Sequence, residues 1–459
     1  MKIRTNLITI ILILMTMGYA SFAIGAISAD EAGKLDGTVL TPIGAIKAGN
    51  KEGTIPAWTG VPIPVPRGYK PGSGTYVDPF ADEKPLFSIN QKNMAQYTDK
   101  LPQGVQALMK RFPDYRIDVY PTHRTTVFPQ AICDGTKRCA TTATYSNGGE
   151  TLNNCRAGYP FPIPKDGNEA YWNHNLATTN YPAPGYTQVN DIVSYNITST
   201  GKMSMSLGAD FTYTAWFWNP AYEKDWRVMD VHANYTGPAR RNGEKALITY
   251  PMDWRNKGQV TWQYLPGQRR VRLAPDLCCD TPNAGTAGAS VYDDTGIFGG
   301  NPDRFTWKLL GKKEMFVVAN CYKVLGYQGP PEKAFQTHFV NPDLVRWELR
   351  RVWVVEATLK PDKRHVYSKR IFYADEDYLK FQIADNFDKR GVLYRMTIGH
   401  PIYIYDRQGM WQDFHAFYDV ISNSYAVNFW PRGHRGIQYP PAPSQSYFSP
   451  DSLAGGGLR

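Results

Sequence analysis

Charge is scarce in this chain. Asp, Glu, Lys and Arg make up only 20% of its 459 residues while 42% are hydrophobic, which excludes a disordered polyelectrolyte. Beyond the first two dozen positions no apolar run approaches the roughly 20 residues that a membrane-crossing helix needs. There is no HExxH pair, no GxSxG elbow and no Walker loop, so the usual signatures of zinc peptidases, α/β-hydrolases and P-loop nucleotide enzymes are missing. The eight histidines, at 123, 174, 232, 338, 365, 400, 415 and 434, are scattered. His174, among aromatics in YWNHN, has a place from which to orient a substrate, but reads first as a hydrogen-bonded structural residue. The six cysteines include no CxxC pair and no histidine at ligand spacing, which argues against zinc; no metal or cofactor is expected. No internal repeat is visible.

What is abundant points to strands. Thirty tyrosines and twelve tryptophans, with 40 glycines and 34 prolines, favour a β-rich fold with long loops over a helical bundle. The length allows one large or two ordinary domains. The opening MKIRTNLITIILILMTMGYASFA combines a basic start, an apolar run and small residues at Ser21 and Ala23, and reads as a signal peptide over 1–23, with cleavage up to 29. No cysteine stands near that zone, which speaks against a lipoprotein. Export suits disulfides. Cys133 and Cys139, bracketing CDGTKRC as a tight loop, form one group with Cys155; Cys278, Cys279 and Cys321 form another. One disulfide is expected in each group, with the pairing open, a vicinal Cys278–Cys279 bridge included.

Residues 28–36 carry capping-box spacing at Ser28 and Glu31 and a stop at Gly37, predicting a short helix. The stretch TPIGAIKAGNKEGTIPAWTGVPIPVPRGYKPGSG is too rich in Pro and Gly for regular structure, yet carries Ile55 and Trp58; it predicts an ordered strap laid on a domain surface. Helices are expected from Asn90 to about Leu101 and from Gln103 to Arg111, the second stopped by Phe112-Pro113. RIDVYPTHRTTVF reads as a strand broken by proline. From about residue 186 strand-like segments recur without helical patterns between them: YTQVNDIVSYNIT, KMSMSLGADFTYTAWFW, KALITY, QVTWQYL, RRVRLA, EMFVVANCYKVL, RRVWVVEATLK, HVYSKRIFYAD and YLKFQIADNFD. The sheet should therefore be antiparallel and mostly meandering. Four regions follow: the leader, an N-terminal strap with helices over 30–185, a sheet domain over 186–430 and a loosely ordered tail over 431–459.

The stretch TWQYLPGQRRVRLAP raises the question of nucleic-acid binding. With the turn at Leu265-Pro266-Gly267-Gln268, Tyr264 faces Arg269 and Trp262 faces Val271. Alternation then puts Val260, Trp262, Tyr264, Val271 and Leu273 on one face with Arg269, and Thr261, Gln263, Arg270 and Arg272 on the other. Cations and rings mostly part company, so nucleic acid is not expected as a partner. Phe211, Tyr213, Ala215 and Phe217 alternate with Thr212, Thr214, Trp216 and Trp218, so both faces of the sheet are partly apolar. The carboxylates Asp375-Glu376-Asp377, and likewise Asp293-Asp294, read as solvated turns rather than sites. Basic doublets and clusters at Arg240-Arg241, Arg269, Arg270, Arg272, Lys312-Lys313 and Arg350-Arg351 suit either an anionic membrane surface or acidic partner, or plain solubility.

Several longer blocks, among them WQYLPGQRRVRLAP, FGGNPDRFTWKLLGKKEMFV, NPDLVRWELRRVWVVEATLK, LTPIGAIKAGNKEGTIPAWTG and YPFPIPKDGNEAYWNHN, closely resemble the DUF1329 family of exported Gram-negative proteins. The resemblance spans about residues 30–430. It implies an α+β, mainly β fold similar to the LolA/LolB lipoprotein-sorting proteins: a large curved antiparallel sheet, an incomplete barrel, covered by helices and straps around an apolar interior. It also implies a periplasmic setting, peripheral to the outer membrane, with an outer-membrane barrel protein or RND-type exporter as partner. It assigns no catalytic residue. The departures from the family pattern at LCCDTP and NCY imply a disulfide between the 278/279 pair and Cys321. The function expected is a non-enzymatic carrier or chaperone for a lipid or other hydrophobic molecule, with Trp216, Trp218, Trp262, Tyr264, Trp353 and Phe372 lining its site. A scaffold without cargo and a hydrolase of lipid or polymer are the alternatives.

Overall fold

A computed structural model describes residues 24–177, 186–222, 225–431 and 435–455; the expected signal peptide lies outside them. Among the described residues the strands run in chain order as β1 (Ile24–Gly25), β2 (Phe87–Asn90), β3 (Arg116–Val119), β4 (Thr144–Ser146), β5 (Thr151–Asn153), β6 (Gln188–Ile197), β7 (Met203–Thr214), β8 (Arg227–Gly237), β9 (Lys245–Pro251), β10 (Val260–Leu265), β11 (Arg270–Leu273), β12 (Phe305–Val318), β13 (Trp347–Leu359), β14 (Lys369–Asp375), β15 (Phe381–Phe387), β16 (Leu393–Gly399), β17 (Ile402–Ile404), β18 (Gly409–Trp411), β19 (His415–Asp419), β20 (Ser424–Trp430) and β21 (Ile437–Gln438).

Two antiparallel meanders make the main sheet. β6 to β11 pair in sequence order, and so do β12, β13, β14, β15, β16, β19 and β20. The last strand of the second meander, β20, pairs with the first of the other, β6, and so joins them. The sheet ends at β11 on one side and β12 on the other, and it does not close. The hairpin β2–β3 adds at the start of β13 by the one parallel bridge, Trp347 with Val119. Each free edge carries cations, Arg270 and Arg272 on β11 and Lys308 on β12, which discourage edge-to-edge pairing.

The second meander is filled by its own side chains. Trp307, Phe372 and Phe381 stack, with Trp307–Phe372 centroids 5.7 Å apart and Phe372–Phe381 4.5 Å. Phe298 caps the stack edge-on at 4.9 Å from Trp307. The helix Gly167–Asn175 covers it, started by Asp166, whose carboxylate accepts from the Asn168 and Glu169 backbone N–H groups. Gly167 allows that approach, because a Cβ there would lie 2.4 Å from the Trp307 carbonyl carbon. The helix Gln103–Arg111 forms as predicted, and the Asp385 carboxylate caps it by accepting from Gln103 N (2.8 Å) and Gly104 N (2.9 Å).

Three expectations about buried charge and chain order need correction. Asp375, Glu376 and Asp377 are buried, not solvated. Asp375 accepts from Arg350 Nε (2.8 Å), Asp377 from Arg350 Nη2 (2.9 Å) and Arg124 Nη2 (2.6 Å), and Glu376 from Lys312 Nζ (2.8 Å). The doublet Arg350-Arg351 is therefore no free basic patch. The same arginines hold the irregular strap: Arg351 donates to the Ile46 and Ala48 carbonyls and Arg124 to that of Lys47. Asp294 is likewise buried against Arg370 Nη2 at 2.8 Å. The expected helix at Asn90–Leu101 is β2 followed by a 3₁₀ helix, Met94–Lys100.

The described part of the tail, 435–455, is not loose either. A 3₁₀ turn Gln445–Phe448 and a helix Pro450–Gly455 bury Phe448 and Leu453 with Trp216, Leu247 and Tyr264. The hairpin β10–β11 has a wider turn than expected, so Tyr264 pairs with Val271 and Trp262 with Leu273. That slip is two residues, the period of a strand, and the face assignment survives it.

CDGTKRC is part of the helix Gln130–Thr142, and Cys139 bonds to Cys155. Cys133, Cys278, Cys279 and Cys321 are free thiols, so the bridge implied between the 278/279 pair and Cys321 is not made. Cys321 is buried at Ala319 and Arg346, whereas Cys278 and Cys279 neighbour Asp293 and Arg304.

Asp377→Asn leaves Arg124 and Arg350 buried beside a neutral group; unfolding in urea should show a loss of about 3–5 kcal/mol. Truncation after Pro443 uncovers Trp216 and Tyr264; red-shifted tryptophan emission with the rest of the sheet intact is the expected result.

Candidate functional site

The first meander is not filled. Register puts Phe211 beside Ala233 and Tyr213 beside Val231 across β7–β8, and Val231 beside Ile248 across β8–β9. These side chains face the interior of the bend and form a small apolar cluster of their own, separate from the main core. Between that cluster and the filled half lies a cavity of about 150 Å³. An apolar cavity of about this size holds a benzene-sized molecule.

Phe429 supplies the far wall. β20 is irregular after Val427, so that Trp430 rather than Asn428 or Phe429 next meets β6. Phe429 sits at φ +59°, a left-handed conformation costly for an aromatic residue, and its ring lies 4.9 Å from Phe211. The mouth is half-buried and mixed, with Arg241, Gln259, Leu277 and Cys278.

The opposite end is polar and deeply buried. His174, Lys380, Asp413, His415 and Asn428 meet there. The Asp413 carboxylate accepts from the side-chain amides of Gln188 (3.1 Å) and Asn190 (2.7 Å). Burial lowers the Lys380 ammonium to about 8, and the Asp413 charge opposes that drop. Burial, followed by the Lys380 charge, holds His174 and His415 well below the usual histidine range, so both are neutral at pH 7. His174 uses both nitrogens, with Nε2 on the Phe298 carbonyl (2.9 Å) and Nδ1 accepting from Phe381 N (3.1 Å). It is a structural residue that also lines the cavity.

None of the six expected lining residues reaches this cavity. Trp216 donates from Nε1 to Asp230 (2.7 Å), lies under the Arg227 guanidinium, and packs with Trp262 and Tyr264 beneath the tail on the other face. Trp218 is in the main core against Tyr159. Trp353 is half-buried under Lys312, and Phe372 belongs to the filled stack. The lining was missed because alternation sorts residues into two faces without saying which face the sheet bends around. Phe211 and Tyr213 were already grouped on one face, and WRVMDVHANY carries the same period at Met229, Val231, Ala233 and Tyr235.

A family model described as "Protein of unknown function (DUF1329)" matches residues 88–454. The chain belongs to this family. It is 37% identical over 443 residues, 96% of each chain, to "Uncharacterized protein PA3922" of Pseudomonas aeruginosa. Among solved structures it is similar to a DUF1329 family protein from Desulfovibrio piger, with 16% identity, TM-score 0.41, and 62% of this chain and 95% of that one covered. It is also similar to a putative outer membrane lipoprotein-sorting protein domain from Vibrio parahaemolyticus, with 12% identity, TM-score 0.40, and 58% and 91% coverage. A LolA superfamily protein from Nitrosomonas europaea gives 13% identity, TM-score 0.36, and 62% and 98% coverage. All three scores lie below 0.5, and the open, bent sheet stands on its own strand order. Among the described residues no helix is long and apolar enough to cross a membrane.

The neutral histidines set a pH dependence for this DUF1329 protein. His174 must take a proton on unfolding once the pH is below its ordinary value of about 6.5. Its contribution is therefore complete above that pH and falls away as acid is added, by up to about 1.4 kcal/mol per pH unit. In His174→Gln the stability measured by urea unfolding at pH 5 and at pH 6.5 should differ less than in the parent, by that slope.

Proposed function

We propose that this protein is a non-enzymatic carrier or chaperone of the periplasm, holding a hydrophobic molecule on the inner face of its first meander. One observation carries the reading: the same bent sheet packs half of its inner face solidly with aromatic rings and leaves the apolar cluster of the other half, around Phe211, Tyr213, Val231 and Phe429, against a cavity. Apolar burial at roughly 25 cal/mol per Å² supplies the affinity without requiring any bond to be made or broken. The partner is an outer-membrane barrel protein or RND-type exporter that receives or delivers the cargo. Docking at the membrane or on that partner falls to the exposed Arg270 and Arg272 edge, since Arg350, Arg351 and Lys312 are committed internally.

Protein exported to the periplasm of a Gram-negative host and analysed by native mass spectrometry should carry a bound apolar molecule released by organic extraction. Val231→Trp, which fills the cavity from β8, should lose that mass while remaining folded. Empty protein in both forms would refute the carrier, and capture of a membrane partner by the empty protein would favour the scaffold.

A further inference from the structure

The inner face of the first meander does not end at the hollow. Its register carries it across β9 and β10 to the free edge at β11. One row of side chains runs through Phe211, Ala233, Ala246, Gln263 and Arg272. Residues paired across an antiparallel ladder point to the same side, so all five stand on the concave face. The next row runs through Ala209 and Tyr235, past Glu244, to Leu265 and Arg270. Exposure rises along both. Ala209, Ala233 and Ala246 are buried, Tyr235, Gln263 and Leu265 are half-buried, and Arg270 and Arg272 are exposed. Val271, between the two arginines, faces the other way and packs under the tail.

The two guanidinium groups are uncommitted. Among the described residues Arg270 forms no ion pair, and Arg272 donates only to Gln263 Oε1, at 3.2 Å. From Leu265 to Pro275 the chain carries three arginines and no acid. Glu244 is taken by Arg241, through Nε at 3.2 Å and Nη2 at 3.1 Å. The β8–β9 turn brings the exposed Arg240 alongside, since a Cβ on Gly243 would lie 3.6 Å from Pro266 Cγ. What this end of the concave face lacks is an anion.

We infer that the cargo is an amphiphile with an anionic head group, a phosphate or carboxylate, and that it lies tail-first. Its apolar end occupies the hollow beside Phe211 and Val231, its body follows the two rows, and its head sits on Arg270 and Arg272. Strand spacing puts Arg272 roughly 10 Å beyond Ala246, within the reach of a short acyl chain. A guanidinium fork matches the paired oxygens of either head group. Keeping the charge at the exposed edge avoids the cost of drying it. The inference rests on the carrier reading and names its cargo. The edge proposed to meet the membrane or partner is then the edge at which the head group arrives.

Calorimetric titration of delipidated full-length mature protein compares lauroyl lysophosphatidate with monolaurin, which share a tail and a glycerol and differ in the phosphate. Below their micelle concentrations and in about 20 mM salt, the phosphate form should bind about tenfold more tightly. Raising the salt to about 1 M should shrink that ratio, because the arginines are exposed. Arg270→Gln combined with Arg272→Gln should bring the ratio to about one, with monolaurin bound as by the parent. Lys389→Gln combined with Arg390→Gln removes the same charge from the exposed turn between β15 and β16 and should leave the ratio unchanged. Glycerol 3-phosphate alone should neither bind nor compete; affinity equal to that of lysophosphatidate would make this a free-phosphate site and overturn the amphiphile. Equal binding of the two lipids by the parent, a ratio that survives the Arg270/Arg272 change, or one lost equally in both variants overturns the head-group site and leaves the carrier standing. Binding of neither lipid overturns both.

Discussion

A sheet bent far enough to face itself must cover its inner surface, and every other feature of this protein answers that constraint. Thirteen consecutively paired antiparallel strands present apolar residues inward. In the second meander the cover comes from within: Trp307, Phe372 and Phe381 stack, Phe298 turns its edge onto them, and the helix Gly167–Asn175 closes the layer. In the first meander the apolar cluster around Phe211, Tyr213 and Val231 has no such layer over it among the described residues, and the end of the same helix reaches only the polar end of the cavity, at His174. The connection from β11 to β12 crosses the opening with loops and short 3₁₀ turns, among them Tyr292–Asp294, and touches the rim rather than filling the hollow. The asymmetry between the halves is thus a matter of where the helix Gly167–Asn175 packs: over β12 and β13 rather than over β7 and β8.

The strap meets the same constraint with polar means. Residues 41–77 have few strand or helix partners for their backbone, and buried carbonyls need donors. Arginines supply them: Arg351 reaches Ile46 and Ala48 and Arg124 reaches Lys47, while outside the strap Arg350 and Arg346 reach the carbonyls of His123 and Pro121. Buried guanidinium groups then need anions, which is the place of Glu348, Asp375, Glu376 and Asp377. Burial alone would raise the Asp377 carboxyl, yet Arg124 and Arg350 hold it below its ordinary range; Asp375, with Arg350 offsetting less of its burial, stays up near about 6. The charges hold one another and the strap together.

Features determined by neighbours in sequence were legible in it. The capping box at Ser28 and Glu31, the helix from Gln103 to Arg111 and the antiparallel meander all follow from local spacing, and each is present. The faces of the β10–β11 hairpin came through a register error because that error was even. Features determined across the chain were not legible. Asp377 meets an arginine 253 positions away, so a row of three carboxylates looked like a solvated turn. β8, β16, β19 and β20 were not singled out as strands, and with β8 went the wall residues Val228, Met229, Val231 and Tyr235. Tryptophans drew attention as lining because they are large and apolar, but large rings are also what a chain uses to plug its own core, as Trp218 and Trp307 do.

The size of the hollow limits how it can be used. A ligand that fits the hollow of about 150 Å³ gains by the apolar surface it takes from water, at roughly 25 cal/mol per Å². That volume takes a ring or the first part of a chain, not a whole long acyl chain. On the proposed carrier reading, the remainder of such a cargo would lie along the mouth beside Arg241, Gln259 and Leu277, half in water. Affinity is then divided between a small buried portion and an exposed portion that a partner can grasp before the buried part leaves. A deeper pocket would hold more tightly and release more slowly, because differences in affinity appear mainly in the off-rate. A shallow hollow in a sheet whose other half is solid is what the proposed carrier would need to pass a cargo on.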